Sequence, residues 1–449
     1  MEKSLMESVS VENLRVIHES SLRVLSEFGL RIEHEAARKV LSNNGCPIGE
    51  GGVARFPAAV VEKAVSRAPR SYVMGARGKA LEMSCDSTHF RCQSGCINVV
   101  DHRTGVFRPG TMSDAVELTR IMEEAEHLSV VSSLLFPWDA PLEDRDVATV
   151  EVMLEHSTKH IYVQPYTGPS AERIGRLAAE AGGKAGRPFV TFITAPTSPL
   201  LCASNELQIM EVACRYGIPV MVGSTPMCGA TSPVTLAGQI VLAHAENLAL
   251  FTLLQLMKPG LPVTYGIRPA VMDMRTGNST WGDVEWGMAT FVLAHLANHF
   301  GFITDVVGFP TDSKLSDFQA GAEKGFNAGL ISLAPCNMVA GGGFIENILT
   351  ASAAQVLLDN ELAGIYKRVR QGIDWDEEHR AVDLIGRIGP GGNYLTDDHT
   401  LKFFRSEIYE PGIFDRNVRE NWILKGSRDA AQSAAEQADL ILKSKKEGD

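Results

Sequence analysis

The segment TYGIRPAVMDMRTG, from Thr264 to Gly277, places Arg268, Asp273 and Arg275 directly after an apolar run that is typical of a buried strand. Burying a guanidinium without a partner costs several kcal/mol, so these arginines require acidic groups close by. Asp273 is near enough in the sequence to pair with either arginine. Two interpretations stay open: an ion pair that braces the loop, or a guanidinium left free to bind a substrate carboxylate through two hydrogen bonds.

Polar or turn-forming residues follow most of the other apolar runs as well. Taken alone, each has a structural interpretation, because Gly, Ser and Thr favour turns and a residue such as Asp312 can cap a helix. Taken together, they predict one shared site. Its members besides Arg268 are Gln164, Tyr166, Thr194, Pro196, Thr197, Ser198, Ser224, Thr225, Tyr265, Thr311, Asp312, Ser313, Lys314, Gly341, Gly342, Gly343 and Glu346.

Metal-binding patterns are weak in this sequence. His295 and His299 are four residues apart on one predicted helix, but no Glu lies between them and no third ligand is evident. Cys92 and Cys96 lack a second cysteine pair. We therefore expect no metal. The sequence also contains no nucleophile elbow and no phosphate-binding loop, which lowers the expectation of a hydrolase or nucleotidase.

Short β-rich runs alternate with segments of helical periodicity over most of the chain. Eight such alternations predict a (β/α)8 TIM barrel, in which functional groups gather at the carboxyl ends of the strands. A doubly wound open sheet is the alternative, but no G-x-G-x-x-G opens the first helix. The predicted strands are 96–101, 128–136, 160–166, 188–196, 218–226, 261–267, 302–309 and 334–342.

Three regions differ in pattern. Residues 1–75 read as an N-terminal helical layer, 76–370 as the barrel, and 371–449 as a C-terminal helical extension that packs on the barrel. A large barrel with such extensions favours a homo-oligomer.

Composition restricts the class of partner. The formal net charge of −12 disfavours nucleic acid, and no long uninterrupted apolar run indicates a membrane span. The eight cysteines are scattered rather than spaced as a disulfide framework, and the N-terminus lacks the apolar core of a secretory signal. These features predict a cytoplasmic protein that acts on a small molecule.

Several segments resemble one known family. PGLPVTYG with VMDMRTG, TDSKLSDFQAGAEK, GGGFIENI and GPGGNYLTDDHTLKFFR are similar to the trimethylamine:corrinoid methyltransferase family, the MttB type. So is SPVTLAGQIVLAHAENLALFTLLQLMKPG. The likeness covers nearly the whole chain, and the family's (β/α)8 barrel agrees with the independent strand count.

The resemblance implies methyl transfer from a methylated amine to the Co(I) corrinoid of a small partner protein, with no cobalamin held tightly by the chain itself. Trimethylamine enzymes of the family carry pyrrolysine, whereas this sequence has only common residues. It therefore resembles the branch that demethylates quaternary amines such as glycine betaine, proline betaine or carnitine. Ala340 stands where some betaine-using relatives have a histidine, which argues against glycine betaine itself.

Roles follow from this resemblance. A quaternary ammonium has no N–H to donate, so aromatic faces and a diffuse negative field must hold it. We expect the cage to come from Phe136, Trp138, Tyr162, Tyr166 and Tyr265. Tyr166, Asp312 and Glu346 are expected nearest the chemistry, with Asp273 adding negative charge, Arg268 or Arg275 holding a carboxylate, and Gln164 and Ser224 contacting substrate. The partner's corrinoid is expected against Thr311, Ser313, Gly342 and Gly343.

Two alternatives remain open at this stage. The same barrel would suit a methylated sulfonium or a methyl-folate donor, because arginines at the mouth could bind a folate glutamate tail. The second alternative is a homologue that binds a betaine but does not catalyse methyl transfer.

Overall fold

The structure, a computed structural model, describes residues 4–181 and 187–446. Eight parallel strands form a closed barrel, and nearly all of their residues are buried, as expected when both faces of a parallel strand are covered. They are β1 (His89–Cys92), β2 (Val130–Ser132), β3 (His160–Val163), β4 (Val190–Thr194), β5 (Val220–Ser224), β6 (Val263–Ile267), β7 (Thr304–Val307) and β8 (Met338–Gly342). The predicted TIM barrel is confirmed, and the open sheet is excluded.

One long helix follows each strand and packs on the outside of the barrel. The first begins at a capping box, in which the Thr111 hydroxyl accepts the Asp114 N–H and the Asp114 carboxylate accepts the Thr111 N–H. The eight are α1 (Met112–Glu124), α2 (Arg145–His156), α3 (Gly168–Ala181), α4 (Ser204–Tyr216), α5 (Leu236–Met257), α6 (Val284–His299), α7 (Phe318–Ser332) and α8 (Ala353–Gln371). Other helices are referred to by their residues.

The first barrel strand is not the one that the sequence predicted. Residues 96–101 contain the short strand Asn98–Val100, which lies outside the barrel and pairs with Thr350–Ser352 and Phe107–Pro109. The barrel strand is instead β1, with the sequence HFRC. Its arginine interrupts the apolar pattern, so a search for apolar runs missed it. Each of the other seven predicted strands contains one barrel strand.

Helix α5 is long and apolar enough to cross a membrane by length and composition alone, but 78% of its most apolar window is buried inside the protein. It packs against β5, β6 and the N-terminal helices. Most of its buried polar groups find protein partners: Asn247, for example, donates to the Gly266 carbonyl at 2.9 Å. These contacts identify α5 as a core helix.

The N-terminal layer covers α5 and the amino end of the barrel. Helices Val11–Arg23, Glu35–Asn43 and Ala58–Val65 all contact α5. A hairpin, Ser71–Met74 with Leu81–Ser84, closes the bottom of the lumen. Its inward side chains pack with a second apolar cluster made of Met74, Met83, Val130, Tyr162, Ile193, Met221, Ile303 and Met338. Among the described residues, this hairpin and cluster fill the amino end of the barrel.

The loops at that open end, which we call the rim, are stiffened by small sheets. The loops after β1 and β8 share four strands: Asn98–Val100, Phe107–Pro109, Phe344–Ile345 and Thr350–Ser352. The loops after β5 and β6 share three: Met227–Cys228, Ala270–Met272 and Ser279–Thr280. The backbone hydrogen bonds between these strands hold the rim loops, and the side chains on them, in place.

The C-terminal extension has two parts. Helix Ala430–Lys446 packs on α8 and α1 through Ala434, Ala438 and Leu442. Between α8 and that helix lie four shorter helices, Glu377–Arg380, Val382–Ile388, Asp398–Glu407 and Arg419–Leu424. No residue from 372 to 433, a range that the structure describes throughout, is buried.

Candidate functional site

Three charged side chains lie inside the barrel, close to the carboxyl ends of the strands. Arg91 on β1 donates to both carboxylate oxygens of Asp305 on β7, at 3.0 and 3.1 Å. Arg268, directly after β6, donates to the same carboxylate and, at 2.8 Å, to the Asp305 carbonyl. All three are at most 5% exposed. Two guanidiniums against one carboxylate leave this cluster with a net positive charge.

Asp305 and Arg268 are both ionised at neutral pH. Burial alone would raise the pKa of Asp305, but the charges and hydrogen bonds of Arg91 and Arg268 outweigh it and hold that pKa below its usual value. Burial lowers the pKa of Arg268 against the attraction of Asp305, yet a guanidinium stays protonated in proteins. The positive charge in the lumen is therefore permanent.

The segment from Thr264 to Gly277 contains one buried arginine, Arg268, and one ion pair at the surface, Asp273 with Arg275. The prediction that Asp273 could pair with Arg268 is wrong, because Asp305 from the next strand takes that role. The Asp273 carboxylate pairs with its near neighbour Arg275, at 3.2 Å, and the Arg275 side chain is 90% exposed. Of the two arginines, only Arg268 is placed to contact a group inside the lumen.

An aromatic pair lies on the segments that leave β2 and β3. The ring centroids of Phe136 and Tyr166 are 4.7 Å apart. Phe136 is 2% exposed but belongs to neither apolar cluster of the described chain. Asp146 on α2 accepts the Tyr166 backbone N–H at 2.7 Å. Burial, with Asp146 nearby, raises the pKa of Tyr166 to about 12, so its hydroxyl keeps its proton.

Two other predicted cage residues already carry a cation. The Arg145 guanidinium lies 4.7 Å over the ring of Trp138, which is half exposed on the rim. The Arg91 guanidinium lies 4.5 Å over the ring of Tyr162, which is fully buried in the lumen. Because one ring face in each case is occupied by an arginine, these two rings are poor partners for a substrate cation.

The remaining predicted substrate contacts divide by position. Tyr265 lies outside the lumen, where its hydroxyl bonds His244 of α5 at 2.8 Å, so its placement in the cage is corrected. The Ser224 hydroxyl donates to the buried Glu246 carboxylate, also on α5. Gln164 is exposed at the carboxyl end of β3. Of these three, Gln164 is the side chain that is accessible at the rim.

The loop after β7 is anchored to its neighbours through side chains that we predicted to be functional. The Asp312 carboxylate accepts the backbone N–H groups of Trp281 and Gly282, the latter at 2.8 Å. Burial raises the pKa of Asp312 against these hydrogen bonds. The Thr311 hydroxyl donates to Glu323 of α7 at 2.6 Å. These contacts fix the loops after β6 and β7 to each other.

The turn after β8 joins the same assembly. The Glu346 N–H donates to the Ser313 carbonyl at 2.7 Å, and the Glu346 carboxylate accepts the Thr350 hydroxyl at 2.6 Å. Glu346 itself has a left-handed backbone, with φ of 55°. Asp312 and Glu346 thus lie on linked loops, where both carboxylates hold the rim in shape. A direct part in chemistry remains a prediction for each.

A buried ion pair fixes the glycine turn that ends β8 at Gly342. Lys324 binds Asp359 at 3.0 Å, and the same carboxylate accepts the Gly343 N–H at 2.8 Å. Gly343 has φ of 83°, and a Cβ there would lie 2.8 Å from a methyl of Leu134, so only glycine fits. The predicted contact of this turn with a corrinoid remains a prediction.

Comparison with known proteins identifies the family to which the chain belongs. The sequence model of the trimethylamine methyltransferase (MTTB) family matches residues 2–449. The chain belongs to this family. It is 32% identical over 440 residues to the trimethylamine methyltransferase MttB of Desulfitobacterium hafniense, covering 96% of this chain and 88% of the relative. Members of the family are methyltransferases, and this chain is one.

A further relative and a solved structure are also similar to this chain. A glycine betaine methyltransferase of Desulfitobacterium hafniense is 28% identical over 419 residues, 92% of this chain and 87% of the relative. The solved monomethylamine methyltransferase MtmB of Methanosarcina barkeri has a TM-score of 0.58 at 10% identity, over 97% of this chain and 87% of that one. At that identity the similarity shows the fold alone.

Sequence reasoning missed several groups of this MTTB-family site. Arg91 and Asp305 were overlooked because a charged residue within a short strand reads as an interruption, although Asp305 in FITDVVGF was a visible signal. At the ends of β1 and β2, the side-chain oxygens of Gln93, Ser94 and Ser133 are buried without a hydrogen-bond partner. Such orphaned groups are rare in proteins, and these three mark further positions where a ligand could bind.

Potential metal ligands converge elsewhere. Among the residues that the structure describes, one trio brings its ligand atoms within 4.8 Å of one another: Asp374, His379 and Glu407. This trio lies in the C-terminal extension, not at the rim. His295, considered from the sequence, packs against Phe291 at 4.6 Å.

Proposed function

We propose that this chain transfers a methyl group from a betaine-type quaternary amine to the Co(I) corrinoid of a partner protein. The observation that carries the proposal is the excess of guanidinium charge in the lumen, in a barrel whose loops after β2 and β3 carry an aromatic pair. A zwitterion with its carboxylate towards Arg268 and its ammonium beside Phe136 and Tyr166 would satisfy both. The transferable methyl group then faces the open end.

The proposed reaction requires no proton transfer by the protein. A quaternary ammonium leaves as a neutral tertiary amine, so no general acid is required. When the partner docks, its corrinoid supplies the Co(I) nucleophile. The residues of this chain need only align the carbon–nitrogen bond with the mouth and exclude water.

The aromatic contact must also be limited in strength. Nitrogen loses its positive charge in the transition state, so a site that stabilised the cation too well would slow transfer. A single pair of aromatic rings, with Asp146 bound to the Tyr166 backbone, attracts the cation without surrounding it on all sides. Neutral trimethylamine lacks both the permanent charge and the carboxylate, so it would fit this site poorly.

The surface around the mouth supports a protein partner. Large apolar side chains are exposed on the rim loops or at the start of the helices that follow them: Trp138, Leu142, Met274, Leu315, Phe318 and Leu349. Phe318, the first residue of α7, is 90% exposed. Exposed apolar surface of this kind marks interaction sites, and its position suits a protein that brings a corrin ring to the lumen.

The direct test is methyl transfer with purified components. The chain, a reduced corrinoid protein and a panel of donors are mixed, and methyl-cobalt formation is followed by absorbance. We expect turnover with carboxylated quaternary amines such as proline betaine, and much less with choline or trimethylamine. Turnover confined to trimethylamine, a sulfonium or methyl-folate would contradict the proposed substrate class, and no turnover with any donor would point to a binding homologue.

The rim can be tested separately. Phe318→Glu is expected to raise the KM for the corrinoid protein by about tenfold or more, because a charge in the centre of an apolar contact disrupts it. Phe326→Glu is a matched control, since Phe326 lies on the same helix, about two turns further from its first residue, and is 48% exposed. Equal KM values for the two variants would argue against docking at the rim.

A further inference from the structure

Gln93, the residue that follows β1, is a buried polar side chain that the protein leaves without a partner. It is 7% exposed, and its carboxamide oxygen is buried without a hydrogen bond to any described residue. Its backbone is fixed, because the Gln93 N–H donates to the Gly342 carbonyl at 2.9 Å. Buried acceptors without a partner are rare and costly, so this position suits a group that a ligand brings.

The alternation of side chains along β1 directs Gln93 into the lumen. Arg91 points inwards, where its guanidinium bonds Asp305 on β7 and lies 4.5 Å over the ring of Tyr162. Cys92 belongs instead to the larger apolar cluster, which includes residues of the outer helices. Successive side chains on a strand take opposite faces, and the hydrogen bonding to β8 continues as far as Gln93. Gln93 therefore returns to the inner face, one layer nearer than Arg91 to the open end.

Among the described residues, the adjoining strands supply no partner for this carboxamide. β8 ends in an alanine and two glycines, at 340–342, which carry no polar side chain. On β2, the Ser132 hydroxyl accepts the Arg91 guanidinium at 3.4 Å. Because the described protein fixes only the backbone of Gln93, its carboxamide can turn either the oxygen or the N–H groups towards a ligand.

The charge of the lumen determines which ligand group fits beside Gln93. Arg91 and Arg268 share the single carboxylate of Asp305, so this cluster keeps a net positive charge. An anionic oxygen can accept from a guanidinium and from an amide N–H at once, and hydrogen bonds to a charged group are stronger than those between neutral groups. A carboxylate is therefore attracted to this position, whereas the same guanidiniums repel an ammonium.

We propose that Gln93 is a specificity-determining residue, whose amide N–H groups bind the carboxylate of the quaternary amine beside the guanidinium of Arg268. This inference rests on the proposed function, because it concerns the carboxylate end of the same zwitterion. That carboxylate does not react, so its contacts are the same before and during methyl transfer. Loss of the Gln93 amide is therefore expected to raise KM and to leave kcat unchanged.

Calorimetric titration of the full chain, without a corrinoid protein, tests this role. The probes are proline betaine and N,N-dimethylpyrrolidinium, which is the same ring without the carboxylate. Gln93→Met keeps the length of the side chain but removes the amide, and it is expected to weaken proline betaine binding about tenfold or more while leaving the second probe unchanged. Gln93→Glu should weaken proline betaine binding further, because two carboxylates then compete for one cationic cluster. Gln208→Met, at an exposed position of α4, is the matched control and should bind both probes as the wild type does.

Equal weakening of both probes by Gln93→Met would mean that Gln93 only shapes the cavity, and it would overturn the proposal. So would a wild type that does not prefer proline betaine, or proline betaine binding that neither Gln93 variant changes.

A crystal structure of the wild type with proline betaine covers the case in which the variants misfold. The ligand carboxylate should lie at hydrogen-bond distance, about 3 Å, from the Gln93 amide nitrogen, and a water molecule in that place would refute the contact. Neither readout uses methyl transfer. Binding that depends on Gln93 but leads to no turnover would contradict only the proposed function, whereas turnover of betaines that is insensitive to Gln93 would contradict only this inference.

Discussion

Replacing Asp305 by asparagine is expected to lower the free energy of unfolding by about 3–5 kcal/mol. The substitution keeps the size of the side chain but leaves Arg91 and Arg268 facing each other, both at most 5% exposed, without a carboxylate. Repulsion and lost charge-assisted hydrogen bonds then act together in a place that water cannot reach. Urea denaturation followed by circular dichroism measures the loss.

The pH dependence and a surface pair provide controls. Because the folded-state pKa of Asp305 is depressed, its contribution is present at neutral pH and is lost as pH falls below roughly 4. The difference between wild type and Asp305→Asn should shrink accordingly. Asp273→Asn removes an acidic partner from the exposed Arg275 and should leave the unfolding midpoint nearly unchanged. Similar losses for both variants would disprove a special role of the buried cluster.

The second large effect is expected for substrate binding. Phe136→Leu should raise the KM for the quaternary amine about fivefold to thirtyfold, which corresponds to a cation–π contribution of about 1–2 kcal/mol in a desolvated site. The value of kcat should rise rather than fall, because the ring stabilises the charged ground state more than a transition state in which that charge is being lost. Tyr166→Phe keeps the ring and should behave like the wild type. Steady-state kinetics with saturating corrinoid protein measures both constants.

A neutral analogue distinguishes charge recognition from packing. A competitive inhibitor with a tert-butyl group in place of the trimethylammonium has the same shape without the charge. Phe136→Leu should weaken binding of the charged ligand much more than that of the neutral one. Equal weakening of both would mean that Phe136 only shapes the cavity, and the proposed cage would have to be placed elsewhere.

Seven of the eight barrel strands could be located from the sequence because apolar runs with turn residues at their ends are local signals. The eighth, HFRC, failed the same test for a physical reason. Its Arg91 is buried by a partner that lies 214 residues away in the chain. A pattern read within a short window contains no information about such a distant charge.

For the candidate site, too, some features could be predicted from the sequence and others could not. The rim residues after β6, β7 and β8 could be predicted as a group, since the carboxyl ends of parallel strands meet at one end of a barrel. Individual roles could not be predicted. Tyr265 and Phe136 look equivalent in the sequence, but one faces α5 and the other faces the aromatic ring of Tyr166. Which side of a strand or turn a ring takes depends on register, which only the closed barrel sets.

The sequence by itself determined the barrel, the family and the crowding of polar groups beyond the strand ends, because periodicity and turn chemistry act between near neighbours. Only the tertiary structure decided that Arg268 pairs with Asp305 rather than Asp273, and that two predicted cage rings already hold arginines. Each of these features depends on which side chains, distant in the sequence, come close in space. Because the charged groups in the lumen are buried, breaking their contacts costs much free energy.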